Sequence, residues 1–352
     1  MFQVRASNLD ALMRPVLKRL LSTNRENFRV ESRKGGTTEI LGAVLELTNP
    51  RARLSRSRER SKIFSALGEL IWYLTANNSV DMIDCYVPNY SDCSDDGKTA
   101  SGAYGPRIFS TSRCLQSEPV NDQWQRVIDT LRSRPGSRNG LIQLFSNRDA
   151  DSNSKDIPCT CVLQFLIRDG SLHLHVHMRS NDAFFGLPHD IFSFTMLQEI
   201  AANELGVGLG LYRHSATSLH LYDDIDGKNS RTRARKYLDE GLHDVIPMPP
   251  MPKGNPWGEI RELAKAEQTF RGNVSNYTPP PLVSAYWMDL ITLLKVHWAA
   301  KTADKEISAL EMAQLAKDLN FRGYELYIFD RIDRKLPPKQ NKLDLFSHTE
   351  QI

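Results

Sequence analysis

The run PCTCVLQFLIRDGSLHLHVHMRSNDAFFGLPHD, residues 158–190, decides how this chain folds. Its first two-thirds alternates in character. CTCVLQFLI (159–167) and SLHLHVHM (171–178) flank Asp169-Gly170, and two alternating runs around Asp-Gly predict a β-hairpin with a tight turn. After Asp190, IFSFTMLQEIAANEL (191–205) is apolar and long enough for a buried helix, stopped by Gly206 in the C-cap position. A further strand-like run covers 209–222.

Working outward, 61–75 (SKIFSALGELIWYLT) and 122–132 predict helices, the second ending before Pro135-Gly136. Residues 1–21 alternate apolar and charged side chains and read as an amphipathic helix. The mixture predicts an α+β fold, a mixed sheet packed with helices. The segment 247–258 (PMPPMPKGNPWG) is too proline-rich to continue a helix, and helical patterns resume over 283–300 and 307–319. The expected organisation is a catalytic domain over 1–250 and a helical C-terminal extension over 251–352.

Composition narrows the class. The chain has 352 residues, 40% hydrophobic and 25% charged, the profile of a globular protein with a substantial core. Its 45 basic and 42 acidic residues leave +3, too small an excess to imply nucleic-acid binding. No run approaches the ~18 apolar residues of a membrane span, and the N-terminus lacks a signal peptide's apolar core. Five cysteines without a disulfide-framework pattern point to a reducing cytoplasm.

Cys159, after Pro158 at a strand start, is either a nucleophile or a buried structural cysteine. A nucleophilic role needs cations to depress its pKa, and Arg138 and Arg179 are the candidates. Cys161 has no accompanying Cys/His pair at zinc spacing. His173, His175 and His177 share a strand face but splay about 6.5 Å apart, so a structural role is expected and no metal. Arg179-Ser180 offers a bidentate fork and a hydroxyl suited to a phosphate. Gly186 and Pro188 force a turn, after which Asp190 is either a helix N-cap or a carboxylate facing a ligand. Glu69, inside an apolar helix, either reaches solvent at an edge or serves function, because a buried unpaired carboxylate is costly. The basic run 51–62 (RARLSRSRERSK) is a solvated face or a site for an anion.

Pro158-Cys159-Thr160, Gln164-Phe165, the block 178–190 (MRSNDAFFGLPHD) and 218–222 (SLHLY), with GELIWYL (68–74) and Tyr104-Gly105 in the required order, resemble the thymidylate synthase superfamily. In Cys159-Thr160, in LIRD (166–169) and in Asp190, where synthases carry asparagine, the chain is most similar to the cytidylate hydroxymethylases. Cytosine presents an acceptor at N3 and a donor at the 4-amino group. A carboxylic acid matches that edge, whereas an ionised aspartate would set acceptor against uracil O4. A buried mismatch of that kind costs about 1–3 kcal/mol, enough for a strong preference.

The resemblance implies that Cys159 attacks C6 of a cytidine monophosphate, CMP or dCMP. 5,10-Methylenetetrahydrofolate donates the carbon, water completes a 5-hydroxymethyl group, and no metal takes part. Glu69 would organise water and protons, and Tyr104 would serve proton removal from C5. Arg179, Ser180 and Arg33 (or its rival Lys34) would bind phosphate, with Arg138 lent across a homodimer. Family dimers usually carry two adjacent arginines there, and Asn139 replaces the second. His220 and Tyr222 would hold the sugar, and Asp182, Trp72 and Gly186 the folate, Trp72 having a core role as its alternative. Two other readings stand beside this one: reductive methylation of dUMP, and a non-catalytic nucleotide- or RNA-binding relative. The helical C-terminus departs from the family.

Overall fold

The computed structural model describes residues 2–22, 27–32, 35–60, 62–109, 122–224, 229–272 and 277–336. Arg33, Lys34 and Cys114 lie outside them. The chain divides into two compact units, 1–258 and 259–352.

In the first unit, seven strands form one mixed sheet: β1 (Phe2–Ala6), β2 (Phe28–Ser32), β3 (Gly35–Leu47), β4 (Leu141–Gln143), β5 (Thr160–Arg168), β6 (Ser171–Asp182) and β7 (Gly208–Tyr222). Their order is β1-β3-β7-β6-β5-β4, with β2 paired to the first half of β3. β6 and β7 run parallel, while β5–β6 and β3–β7 are antiparallel. The expected hairpin is β5–β6. Asp169 (φ 49°) and Gly170 (φ 69°) both take the left-handed conformation that a type I′ turn requires. Alternation buries Leu163, Phe165, Leu174 and Val176 on one face. On the other, His175 is half-buried and His177 exposed.

The helices of this unit are α1 (Leu9–Leu21), α2 (Ile63–Leu74), α3 (Val80–Asp84), α4 (Gly105–Ile108), α5 (Gln123–Ser133), α6 (Asn147–Ala150), α7 (Gly186–Leu205) and α8 (Ser230–Asp239). α7 is buried nearly all round, as its apolar sequence demands, and packs on β6, β7 and α2. Gly206 closes it at φ 70°.

Two expectations need correction. The N-terminal stretch is a strand followed by a helix. β1 pairs parallel with β3, and the Asn8 side chain caps α1 by accepting from the Ala11 N–H at 2.8 Å. α7 begins at Gly186, before the hydrophobic run, with Pro188 in its first turn, where a missing N–H breaks no helical bond. Asp190 therefore lies inside the helix and is not its N-cap.

The second unit holds α9 (Trp257–Gly272, entering from the boundary), α10 (Ala285–Ala299), α11 (Lys305–Lys317) and α12 (Glu325–Lys335). Trp287, Leu290, Leu293, Met312 and Ile328 form its core. Buried Asp289 accepts from the Asn320 and Phe321 N–H groups, both at 2.8 Å, and so ties α10 to the turn before α12.

Candidate active site

The sheet ends, α2 and the start of α7 enclose a cavity of about 140 Å³ lined by Glu69, Trp72, Tyr73, Tyr104, Cys159 and Asp190 among others. Cys159 sits just before β5, where a bulge at Cys161 interrupts the ladder to β6. Its loop is pinned from behind. Arg179 Nε donates to the Pro158 carbonyl (2.9 Å) and Nη2 to that of Ile157 (3.0 Å), while the Arg179 N–H reaches the Cys159 carbonyl at 2.9 Å. The proposed phosphate arginine thus also fixes the backbone that presents the thiol. Tyr104 Oη accepts from the Thr160 N–H (3.2 Å) and hydroxyl (2.9 Å), and burial together with Asp190 and Cys159 holds its hydroxyl protonated, well above the usual range.

Two carboxyls share this cavity and are driven apart. Glu69 accepts from Tyr73 Oη at 2.7 Å and contacts His189 Nδ1 at 2.8 Å. Burial pulls its pKa up, but the His189 hydrogen bond and attraction, with Tyr73, outweigh that and leave it below its ordinary range. Asp190 behaves oppositely. Burial first, then negative Glu69, push its pKa well above the carboxylate range, against a single hydrogen bond from Asn181 Nδ2 to Oδ2 at 2.7 Å. The two carboxyls beside the thiol are thus pushed in opposite directions, one toward its charged and one toward its neutral form, the kind of separation that base and acid roles need.

The other expected residues fall around this centre. Ser180 Oγ lies 3.4 Å from His220 Nδ1, and the His220 and Tyr222 rings meet edge-on at 4.9 Å. Asp182 Oδ1 accepts from the Phe184 and Phe185 N–H groups at 2.8 and 3.0 Å, shaping the turn into α7. Gly186 lies against this turn, and a Cβ there would stand 3.2 Å from Asn181 Nδ2. Trp72 is buried, and its indole Nε1 finds no hydrogen-bond partner among the described residues. Arg138 is exposed in the loop after α5, its carbonyl accepting from Gln164 Nε2 at 2.9 Å. The histidine stripe is spent on sheet contacts, His175 Nε2 lying 2.8 Å from Ser215 Oγ, and the described residues hold no metal-ligating cluster. A larger cleft of about 330 Å³ is lined by Asn78, Arg107 and Asp149, but its main charges already pair with each other at 2.7 Å.

Sequence reasoning missed Tyr73, His189, Asn181, His214 and Tyr212. Tyr73 is one helical turn from Glu69, and His189 and Asn181 lie inside the quoted block, so their neighbourhood was a signal. His214 and Tyr212 had none, because only the β6–β7 pairing brings them under Asn181.

Comparison with known proteins agrees with this geometry. The family model described as thymidylate synthase matches residues 13–238. The deoxyuridylate hydroxymethyltransferase of Delftia phage PhiW-14 is 28% identical over 207 residues, covering 54% of this chain and 55% of the relative. That of Bacillus phage SP01 is 29% identical over 198 residues, covering 54% and 52%. The thymidylate synthase of Bacillus subtilis subsp. natto is 32% identical over 160 residues, covering 45% and 57%. The chain thus spans about half the length of these curated relatives. The matched span of the family model carries six of the seven strands and every residue of the cavity, so the chain belongs to the thymidylate synthase family.

Proposed function

We propose that this protein is a cytidylate 5-hydroxymethylase acting on CMP or dCMP. One observation carries the reading: Asp190 is buried and faces the same cavity as Cys159, where burial and the charge of Glu69 push its pKa well above the carboxylate range and favour the neutral acid. With its proton on the oxygen facing ring N3, a neutral carboxyl donates there and accepts from the 4-amino group, the edge that cytosine offers.

Cys159 adds to C6 of the ring, making C5 a carbon nucleophile. 5,10-Methylenetetrahydrofolate, when bound, supplies the one-carbon unit at C5. The aromatic lining of the cavity and the unpartnered indole N–H of Trp72 suit a flat polar ring, and Trp72, Asp182 and Gly186 would hold it. Tyr104, hydrogen-bonded at Thr160, is placed to serve loss of the C5 proton. Once the bond from the exocyclic carbon to the folate nitrogen has broken and tetrahydrofolate has left, Glu69, ionised and fixed by Tyr73 and His189, would take a proton from the water that adds to that carbon. Thiolate departure from C6 would then restore the ring. Ser180, Arg179 and Arg138 of a second copy would hold the phosphate, and His220 and Tyr222 the sugar. Arg33 stays a further phosphate candidate on sequence grounds. The half-buried sheet face around His175, with Leu41 half exposed, supports a homodimer.

A second reading, hydroxymethylation of a uridylate, draws on the names of two relatives. Purified protein is to be incubated with methylenetetrahydrofolate and CMP, dCMP or dUMP in parallel and read by mass. Gain of one CH2O on a cytidylate is expected. Hydroxymethylation of dUMP alone establishes the second reading, and dTMP formation overturns both.

A further inference from the structure

A neutral carboxyl is an ambiguous reader. With its proton on the oxygen facing position 3 it matches cytosine; with the proton on the other oxygen it matches uracil equally well. Something must choose between the two oxygens, and a buried hydrogen-bond chain behind Asp190 does so.

The chain begins at Tyr212 on β7. Its hydroxyl lies 2.9 Å from Nδ1 of His214, two residues along the same strand. His214 Nε2 lies 3.1 Å from Oδ1 of Asn181, near the end of β6. Asn181 Nδ2 donates to Oδ2 of Asp190 at 2.7 Å. Tyr212 and His214 are fully buried, and Asn181 and Asp190 nearly so.

Each link fixes the next. Asn181 Oδ1 can only accept, so His214 Nε2 carries a hydrogen and Nδ1 accepts from the tyrosine hydroxyl. Burial, with His175 and His177 nearby, drives the His214 pKa down to about 3, so the imidazole stays neutral and carries a single N–H, which Asn181 Oδ1 draws to Nε2. In this amide orientation Asn181 Nδ2 faces Asp190, and Asp190 Oδ2 is the acceptor. The acid proton is left to Oδ1. Gly186 keeps room for the contact, since a Cβ there would stand 3.2 Å from Asn181 Nδ2.

We propose that Asn181, oriented through His214 by Tyr212, is the positioning residue that confines the Asp190 proton to one oxygen and so lets the site read one pyrimidine edge and not both. The proposal rests on the reading that Asp190 faces the base. Within that reading, Oδ1–H meets ring N3 and Oδ2 accepts from the 4-amino group of cytosine.

The test compares kcat/KM for cytidylate and uridylate across variants of the full chain, with thermal midpoints measured beside them. Asn181→Leu is expected to cut the ratio of preferred to rejected base by about tenfold or more, the scale of losing one hydrogen bond to a buried group. His214→Phe, which does not touch Asp190, is expected to cut it by about fivefold, and His214→Gln, which can still donate, to restore most of it. Tyr212→Phe removes only the terminal hydroxyl, with an expected loss of about twofold, and carries the test where the larger changes prevent folding.

A second readout separates positioning from general damage. The Asn181 hydrogen bond favours the ionised form of Asp190, against burial, Glu69 and Asp182, which favour the neutral one. Tyr73, Tyr104 and Tyr212 also feel its charge. Asn181→Leu is therefore expected to move the alkaline limb of cytidylate turnover to higher pH while discrimination falls. A merely structural lesion would lower both substrates together and leave the limb in place. An unchanged ratio in folded Asn181→Leu and His214→Phe overturns the proposal. Wild-type protein that accepts only uridylate overturns the base assignment above, yet collapse of that preference in Asn181→Leu still upholds the relay.

Discussion

Helix α7 carries two buried carboxyls nine residues apart, and their surroundings make them opposites. Glu199 faces Arg51 Nε at 2.7 Å and Nη2 of fully buried Arg53, and accepts from the Met251 N–H at 3.1 Å. Burial raises its pKa, but Arg53 and Arg51 more than offset this and hold it ionised. Asp190 has one amide donor and a negative neighbour, and burial with that neighbour pushes its pKa well above the carboxylate range. Burial is common to both, so it does not distinguish a structural carboxyl from one proposed to meet substrate. The partners do: two cations pair with the first, while the second is pushed toward its neutral form and lines the cavity.

The largest effect expected from breaking this contrast is at the Glu199 pair with Arg51 and Arg53. Arg53→Ala strips Glu199 of its buried cation and should remove about 3–5 kcal/mol of stability, measured as a lowered urea midpoint. A loss under about 1 kcal/mol would mean that Glu199 takes up a proton instead.

Next comes Asp190→Asn, which should leave folding unchanged or firmer, because it removes a destabilised buried acid. Cytidylate turnover should fall by about a hundredfold, since an amide held by Asn181 can donate a hydrogen bond to ring N3 but cannot transfer a proton to it. Parallel assays with both nucleotides check it.

The two carboxyls also have opposite pH signatures. Asp190 binds its proton more tightly folded than unfolded, so its contribution is fully present below about pH 4 and is lost as pH rises toward its raised pKa. Glu199 and Glu69, lowered from 4.5, contribute above that value and lose their contribution as pH falls through their lowered pKa values. The gain in stability of Asp190→Asn over wild type should therefore be larger near pH 8 than near pH 5, as urea unfolding at both will show.

Smallest is Gly186→Ala. Its Cβ would crowd Asn181 Nδ2 at 3.2 Å, tighter than ordinary contact, without touching the Glu199 cluster. A few-fold fall in base discrimination, about 0.5–1 kcal/mol, with little change in the urea midpoint is expected.

The basic run 51–62 shows where sequence reading reached its limit. As a charged stretch it invited a solvated face, yet Arg53 and Arg60 are buried, Arg53 on Glu199 and Arg60 donating to the Phe185 carbonyl at 3.1 Å. Charge patterning records what a side chain is and not what faces it. Glu69 shows the reverse: an acid amid ELIWYL was legible because burying it unaided is so unfavourable.

The sequence by itself determined the hairpin, through alternation and an Asp-Gly turn whose two residues must take positive φ, and the buried helix that follows it. It also marked Cys159, Glu69 and Asp190 by motif. Tertiary structure alone decided that Asp190 lies within α7 and not at its cap, that Arg51 and Arg53 close on Glu199, and that Tyr212 and His214 come to lie under Asn181. The physical reason is range. Period and turn chemistry act between residues a few positions apart, whereas the protonation of a buried acid is set by charges and donors that only strand pairing and helix packing bring within 3 Å.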